Sequence, residues 1–135
     1  MKLEQPGWTR RMADTDVDFD LLIKAGGPVR SFKAGDVIFR EGDPAVELFV
    51  VKSGTVEIRV RDRLIGTLGE RSIFGEMALV DGQPRCATAS AATDTELVPL
   101  AEKGFSLLVA YQPNFALSML RVLVKHVRTT TAITR

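Results

Sequence analysis

Residues 74–89 read FGEMALVDGQPRCATA, and two opposite charges, Glu76 and Arg85, stand in this run of small and apolar residues. Phe74-Gly75-Glu76 leaves a turn and enters Met77-Ala78-Leu79-Val80, enough for one helical turn before Asp81-Gly82 and Pro84 break it. The start of such a helix exposes unpaired backbone N–H groups, which attract an anion. Gly75 lets a ligand approach the backbone, and Ala78 does not obstruct it. Arg85 follows the turn and can close the same pocket with a guanidinium fork suited to phosphate oxygens. Glu76 repels phosphate but accepts hydrogen bonds from sugar hydroxyls. Phosphate plus ribose is the ligand that uses both charges. The plainer account is a surface Glu76–Arg85 salt bridge contributing only ~0–1 kcal/mol, and the local spacing does not choose between the two.

Around this stretch, from Val29 to Leu100, the chain consists of short apolar alternations punctuated by glycine. Val56, Ile58 and Val60 point one way while Thr55, Glu57, Arg59 and Arg61 point the other, as a half-buried strand requires. Val37 to Arg40, Leu48 to Val51, Leu64 to Leu68, Ala87 to Ala91 and Glu96 to Leu100 are similar segments. Gly35-Asp36, Gly42-Asp43-Pro44, Ser53-Gly54, Gly66 and Gly69 separate them. Many short strands with regular turns predict an antiparallel sandwich or barrel, the jelly roll being one closed solution.

The flanks are helical in pattern. Asp14, Asp16, Asp18 and Asp20 alternate before Leu21-Leu22-Ile23, but a calcium loop needs glycine at its sixth position and glutamate at its twelfth, where this chain has Phe19 and Ala25. The same residues suit a short helix capped by an aspartate and stopped at Gly26-Gly27-Pro28. Beyond Pro99, Phe105, Leu108 and Val109 fit one short helix. Pro113 begins another, in which Phe115, Met119, Leu120, Leu123, Val124 and Val127 are expected to share a face. The chain divides into an N-terminal helical segment, 1–28, and a single domain, 29–135.

At 135 residues, 45% hydrophobic and 26% charged, the chain can bury one core and has the composition of a soluble globular protein. Its longest apolar runs, such as Phe105 to Tyr111, are too short to cross a bilayer, and no apolar signal core opens it, so the expectation is a cytoplasmic protein. Cys86 is the only cysteine and His126 the only histidine. An intrachain disulfide, a cysteine zinc cage and the multi-histidine metal site of a cupin are all excluded by those counts. A Cys86–His126 nucleophilic pair lacks a third partner, so neither an enzyme nor a metal site is expected. Net charge is +1. Arg121, Lys125, His126, Arg128 and Arg135 make the carboxyl end locally basic, which is read as a solvated helix face.

The stretch 74–89 resembles the phosphate-binding cassette of the cyclic-nucleotide-binding domain family. The resemblance runs from about Phe32 to Arg128, with its pieces in family order: FKAGDVIFREGDPAVELFVVKSGTVEI, GTLGERSIFGEMALVDGQPRCATASA and FSLLVAYQPNFALSMLRVLVKHVR. It implies a mainly β fold, an antiparallel, jelly-roll-like β-roll with an N-terminal helix, a short cassette helix and two C-terminal helices. It further implies that Arg85 pairs with the cyclic phosphate and Glu76 accepts from the ribose 2′-hydroxyl. Backbone N–H groups at Gly75, Ala78 and Cys86 complete the cradle, with Ala87 in the same run. Met77 and Leu79 pack the cassette helix, and Val60 forms part of the base wall. A residue of the last helix caps the base in such domains; His126, Arg128, Thr129 and Thr130 are the candidates, with His126 and Thr130 placed in the ligand set.

Two positions depart from the family pattern. Leu68-Gly69-Glu70-Arg71-Ser72 stands where a proline–glycine–acid turn is usual. Cys86 stands where serine, threonine or alanine is common; threonine there goes with cGMP, and a thiol is a poor substitute donor, which favours cAMP. The resemblance implies a sensor whose ligand repositions the cassette and the C-terminal helix, acting through an effector protein. The sequence offers no DNA-binding motif, and its terminal apolar stripe could form a homodimer. The alternative is a β-roll scaffold or protein-interaction module that has lost nucleotide binding.

Overall fold

The Gly-Asp and Ser-Gly breaks fold back successive apolar strands so that each pairs antiparallel with a neighbour. The computed structural model describes residues 19–134, with side chains for all of these except Ala78, Pro113 and 127–134. Its strands are β1 (Arg30–Phe32), β2 (Val37–Phe39), β3 (Glu47–Ser53), β4 (Val56–Val60), β5 (Arg63–Leu68), β6 (Ile73–Phe74), β7 (Thr88–Ala91) and β8 (Thr95–Ala101). Its helices are α1 (Phe19–Ala25), α2 (Met77–Asp81), α3 (Glu102–Tyr111) and α4 (Pro113–Thr134). The aspartates at 14, 16 and 18, including any that caps α1, lie outside the described residues.

Two four-stranded sheets run in the orders β1-β8-β3-β6 and β2-β7-β4-β5. This is the order obtained by rolling up one long antiparallel hairpin whose tip is β4–β5, a jelly roll. Register follows the hydrophobic pattern: Val50 lies opposite Val98 and Ile73, and Val56 opposite Leu68 and Ala91. These residues are buried together with Val51, Leu97 and Leu100. In β8, four consecutive residues, Leu97 to Leu100, are buried, because α1 and α3 cover its outer face. Phe19 and Leu22 of α1 join the same core, and α1 ends where Gly27 N–H donates to the Pro99 carbonyl.

Turn chemistry sits where the sequence breaks. Asp36 and Asp43 each accept through Oδ2 from the backbone N–H three residues earlier, at Lys33 and Arg40. Gly54 has φ +90°, and a Cβ there would lie 2.4 Å from the Asp94 carbonyl oxygen, so only glycine fits. The β4–β5 hairpin turns on Arg61 and Asp62, both at positive φ (52° and 64°), with Arg61 N–H donating to Glu41 Oε1 at 2.7 Å. No glycine or asparagine announces this turn.

Two findings differ from the sequence expectation. Strands β1 and β6 are additional to the predicted segments; β6 has two residues and β1 three, too few for a period-two pattern to register. In α4 the buried face is Phe115, Ser118, Met119 and Val122, while Leu120 (56% exposed) and Val124 (45%) face outward. The helix carries apolar residues over more than one stripe. The stripe opposite the roll is chosen by what α3 and the sheet present, including the edge-on contact of Phe105 with Phe115 at 5.4 Å.

Candidate functional site

Strand β6 ends at Phe74, and Gly75, at φ +77°, turns the chain into α2. A Cβ on Gly75 would lie 2.7 Å from Arg85 Nη1, so the glycine makes room for the guanidinium. Helix α2 ends in the left-handed Gly82 (φ 64°, ψ 12°), and the chain returns through Pro84 to Arg85. The Arg40–Asp43 turn then fixes the arginine backbone: Arg85 N–H donates to the Asp43 carbonyl at 2.9 Å, and Gly42 N–H donates to the Arg85 carbonyl at 2.8 Å.

The Arg85 side chain is 9% exposed. Nη1 donates to the Gly75 carbonyl at 3.0 Å and Nη2 to the Glu47 carbonyl at 2.8 Å. The guanidinium carbon lies 4.1 Å from the centroid of the Phe39 ring. Phe39 is itself packed in a triangle with Phe49 and Phe74, at centroid distances of 5.4–6.1 Å. Such a stack contributes about 0.5–2 kcal/mol, more where water is excluded. Burial lowers the guanidinium pKa from its ordinary value, against the opposing pull of Glu47 and Asp43. Among the described residues, Nε of Arg85 is the one buried side-chain polar atom without a hydrogen-bond partner.

Glu76 occupies the N-cap position of α2 but makes no side-chain capping bond and is 3% exposed. Its Oε1 instead meets Nδ1 of His126, carried in by α4. Burial pushes the imidazole pKa down to about 4, so the ring is neutral at pH 7 and donates Nδ1–H to the carboxylate. The surface Glu76–Arg85 salt bridge is therefore not formed: both groups are buried, and each has other partners.

Gly75, Glu76, Met77, Arg85, Cys86, Ala87, Val60 and His126 all line one pocket with a cavity volume of ≈ 160 Å³. Cys86 is exposed although Arg85 beside it is buried. Leu79 packs against the core from α2. The side chains of Ala78, Arg128, Thr129 and Thr130 lie outside the described residues. The unusual turn before the cassette places Arg71 at φ 68°, with its N–H donating to the Val51 carbonyl at 2.8 Å and its guanidinium 4.7 Å from the Phe19 ring centroid.

Sequence reasoning missed Phe39 beneath Arg85, the Glu47 and Asp43 carbonyls, and the apolar wall of Ile58, Ile65 and Leu68. Ile58 was reachable, since it shares a strand face with Val60. The Phe39–Arg85 stack and the carbonyl partners carry no sequence signal, because any residue supplies a carbonyl.

The pocket, with one buried guanidinium, one buried carboxylate and an apolar wall, can take a ligand that pairs an anion with a hydroxylated, apolar-faced body. Comparison with known proteins gives that chemistry a family. Residues 29–112 match the model of the cyclic nucleotide-binding domain, more than half of the chain. The chain belongs to the cyclic nucleotide-binding domain family.

As a cyclic nucleotide-binding domain it is similar to a cyclic nucleotide-gated potassium channel of Mesorhizobium japonicum, with 40% identity over 87 residues, 64% of this chain and 24% of the channel. It is similar also to a CRP-like cAMP-activated global transcriptional regulator of Mycobacterium tuberculosis, with 31% identity over 114 residues, 81% of this chain and 50% of the regulator. The crystal structure of the Thermus thermophilus catabolite activator protein superposes with a TM-score of 0.76 at 30% identity, covering 86% of this chain and 56% of that one. The chain thus spans from about a quarter to about half the length of these relatives. The domain is a ligand-binding regulatory module with the β-roll expected of its family. Among the described residues no helix is long and apolar enough to cross a membrane.

Proposed function

We propose that this cyclic nucleotide-binding domain is a cAMP sensor. Arg85 holds the cyclic phosphate, Glu76 accepts from the ribose 2′-hydroxyl, and backbone N–H groups at Gly75, Ala78 and Cys86 complete the cradle beside Ala87. Val60 forms part of the base wall, Met77 lines the same pocket from the cassette helix, and His126 and Thr130 on α4 are the capping candidates. The observation that carries this reading is the buried Nε of Arg85, a charged donor without a partner in a pocket that also holds Glu76. Leaving such a donor unmet costs about 1–3 kcal/mol, which an anionic ligand relieves. Cys86, a weak donor beside Arg85, favours cAMP over cGMP.

In this reading residues 29–135 are the working domain, 1–28 are an attached helical segment, and the site of action is the cytoplasm. Ligand binding shifts α2 and the end of α4, and that movement is the signal to an effector protein. Leu117, Leu120 and Val124, each 45–56% exposed on one side of α4, supply a surface for a homodimer. Calorimetric titration with cAMP and cGMP tests the ligand: tighter binding of cAMP is expected, and cGMP binding as tightly or more tightly would overturn the preference. Terminal-helix NMR resonances unchanged at saturation would overturn the movement of α4.

A further inference from the structure

Glu76 already has a partner. Among the described residues, the His126 ring is the only hydrogen-bond partner of its side chain, and the two side chains are 4% and 14% exposed in a common pocket. The ring arrives from α4, so the contact ties that helix to the N-cap of the cassette helix. A carboxylate covered in this way offers a ribose hydroxyl little access unless the imidazole gives ground. We propose that His126 is a latch that competes with the nucleotide's 2′-hydroxyl for Glu76, holding α4 on the cassette until ligand displaces it.

This inference rests on the reading of Glu76 as the ribose partner. Glu76 then exchanges one donor for another: an imidazole N–H in the empty domain, a ribose O–H in the occupied one. The exchange supplies what a ligand-driven shift requires, a contact made in one arrangement and broken in the other. It also predicts that the empty domain pays for its closed helix in affinity, because part of the ligand's interaction with Glu76 replaces one already present.

The test titrates wild type, His126→Ala and His126→Asn with cAMP and with 2′-deoxy-cAMP by calorimetry, with a thermal melt on each protein to verify folding. His126→Ala leaves Glu76 unpaired in the empty state and is expected to bind cAMP on the order of tenfold more tightly. The gain should vanish with 2′-deoxy-cAMP, which lacks the competing hydroxyl. His126→Asn keeps an N–H donor near the Nδ1 position and should gain less than His126→Ala. If wild type binds cAMP and folded His126→Ala binds it equally or more weakly, or gains as much for the 2′-deoxy ligand, the latch is overturned alone. If no folded protein binds either nucleotide, the reading of Glu76 fails and the latch with it.

Discussion

Arg85 is held in place by the fold itself. Two backbone carbonyls take its terminal nitrogens and Phe39 lies under its plane, so in the proposed function it loses little freedom on binding the phosphate. Gly75 is part of that arrangement. Gly75→Ala places a methyl group against Nη1 in a backbone conformation that disfavours side chains, so cAMP affinity should fall by about 1–3 kcal/mol with smaller loss of fold stability. Calorimetry and thermal melts of the variant check both. His126 gives a pH signature. Its folded pKa of about 4 lies below the ordinary value of 6.5, so the unfolded chain binds the extra proton first. Its contribution is full above about pH 6.5 and is lost as pH falls through 4, up to about 3 kcal/mol. As the pH falls from 7 to 4, melts should show the wild type losing stability relative to His126→Asn; a constant difference would contradict this. Glu76 and Arg85 stand out in the sequence as opposite charges in an apolar run, and the structure brings both to one pocket. Phe39 and the carbonyls do not stand out, since only the fold brings them together.

At the scale of elements, the strands with alternating or continuous apolar runs were readable, and so was the one-turn helix α2 with its Asp81-Gly82 stop. Strands β1 and β6 escaped because two or three residues carry no period, and the β4–β5 turn because Arg61 and Asp62 adopt positive φ without glycine. The orientation of α4 was only half legible: its apolar residues fill more than one stripe, and tertiary packing selects Phe115, Met119 and Val122. A pair of substitutions tests that selection. Met119→Ala should destabilise the fold by about 2–5 kcal/mol, whereas Leu120→Ala should change monomer stability by no more than about 0.5 kcal/mol. Urea unfolding at low protein concentration measures both, and equal losses would contradict the assigned face.

Across the whole molecule, the jelly roll brings the cassette between β6 and β7 beside the turn after β2, and α4 reaches back to the same place. One pocket therefore touches three distant parts of the chain, and the proposed movement of α4 rests on that. In the proposed function a buried arginine and a buried carboxylate divide a cyclic nucleotide between them. The most direct measurement is calorimetric titration of wild type and folded Arg85→Ala with cAMP. One-site binding to the wild type is expected, with a loss of about 2–5 kcal/mol in the variant, the cost of removing a desolvated charge partner; equal affinity in the two proteins would show that Arg85 does not hold the ligand.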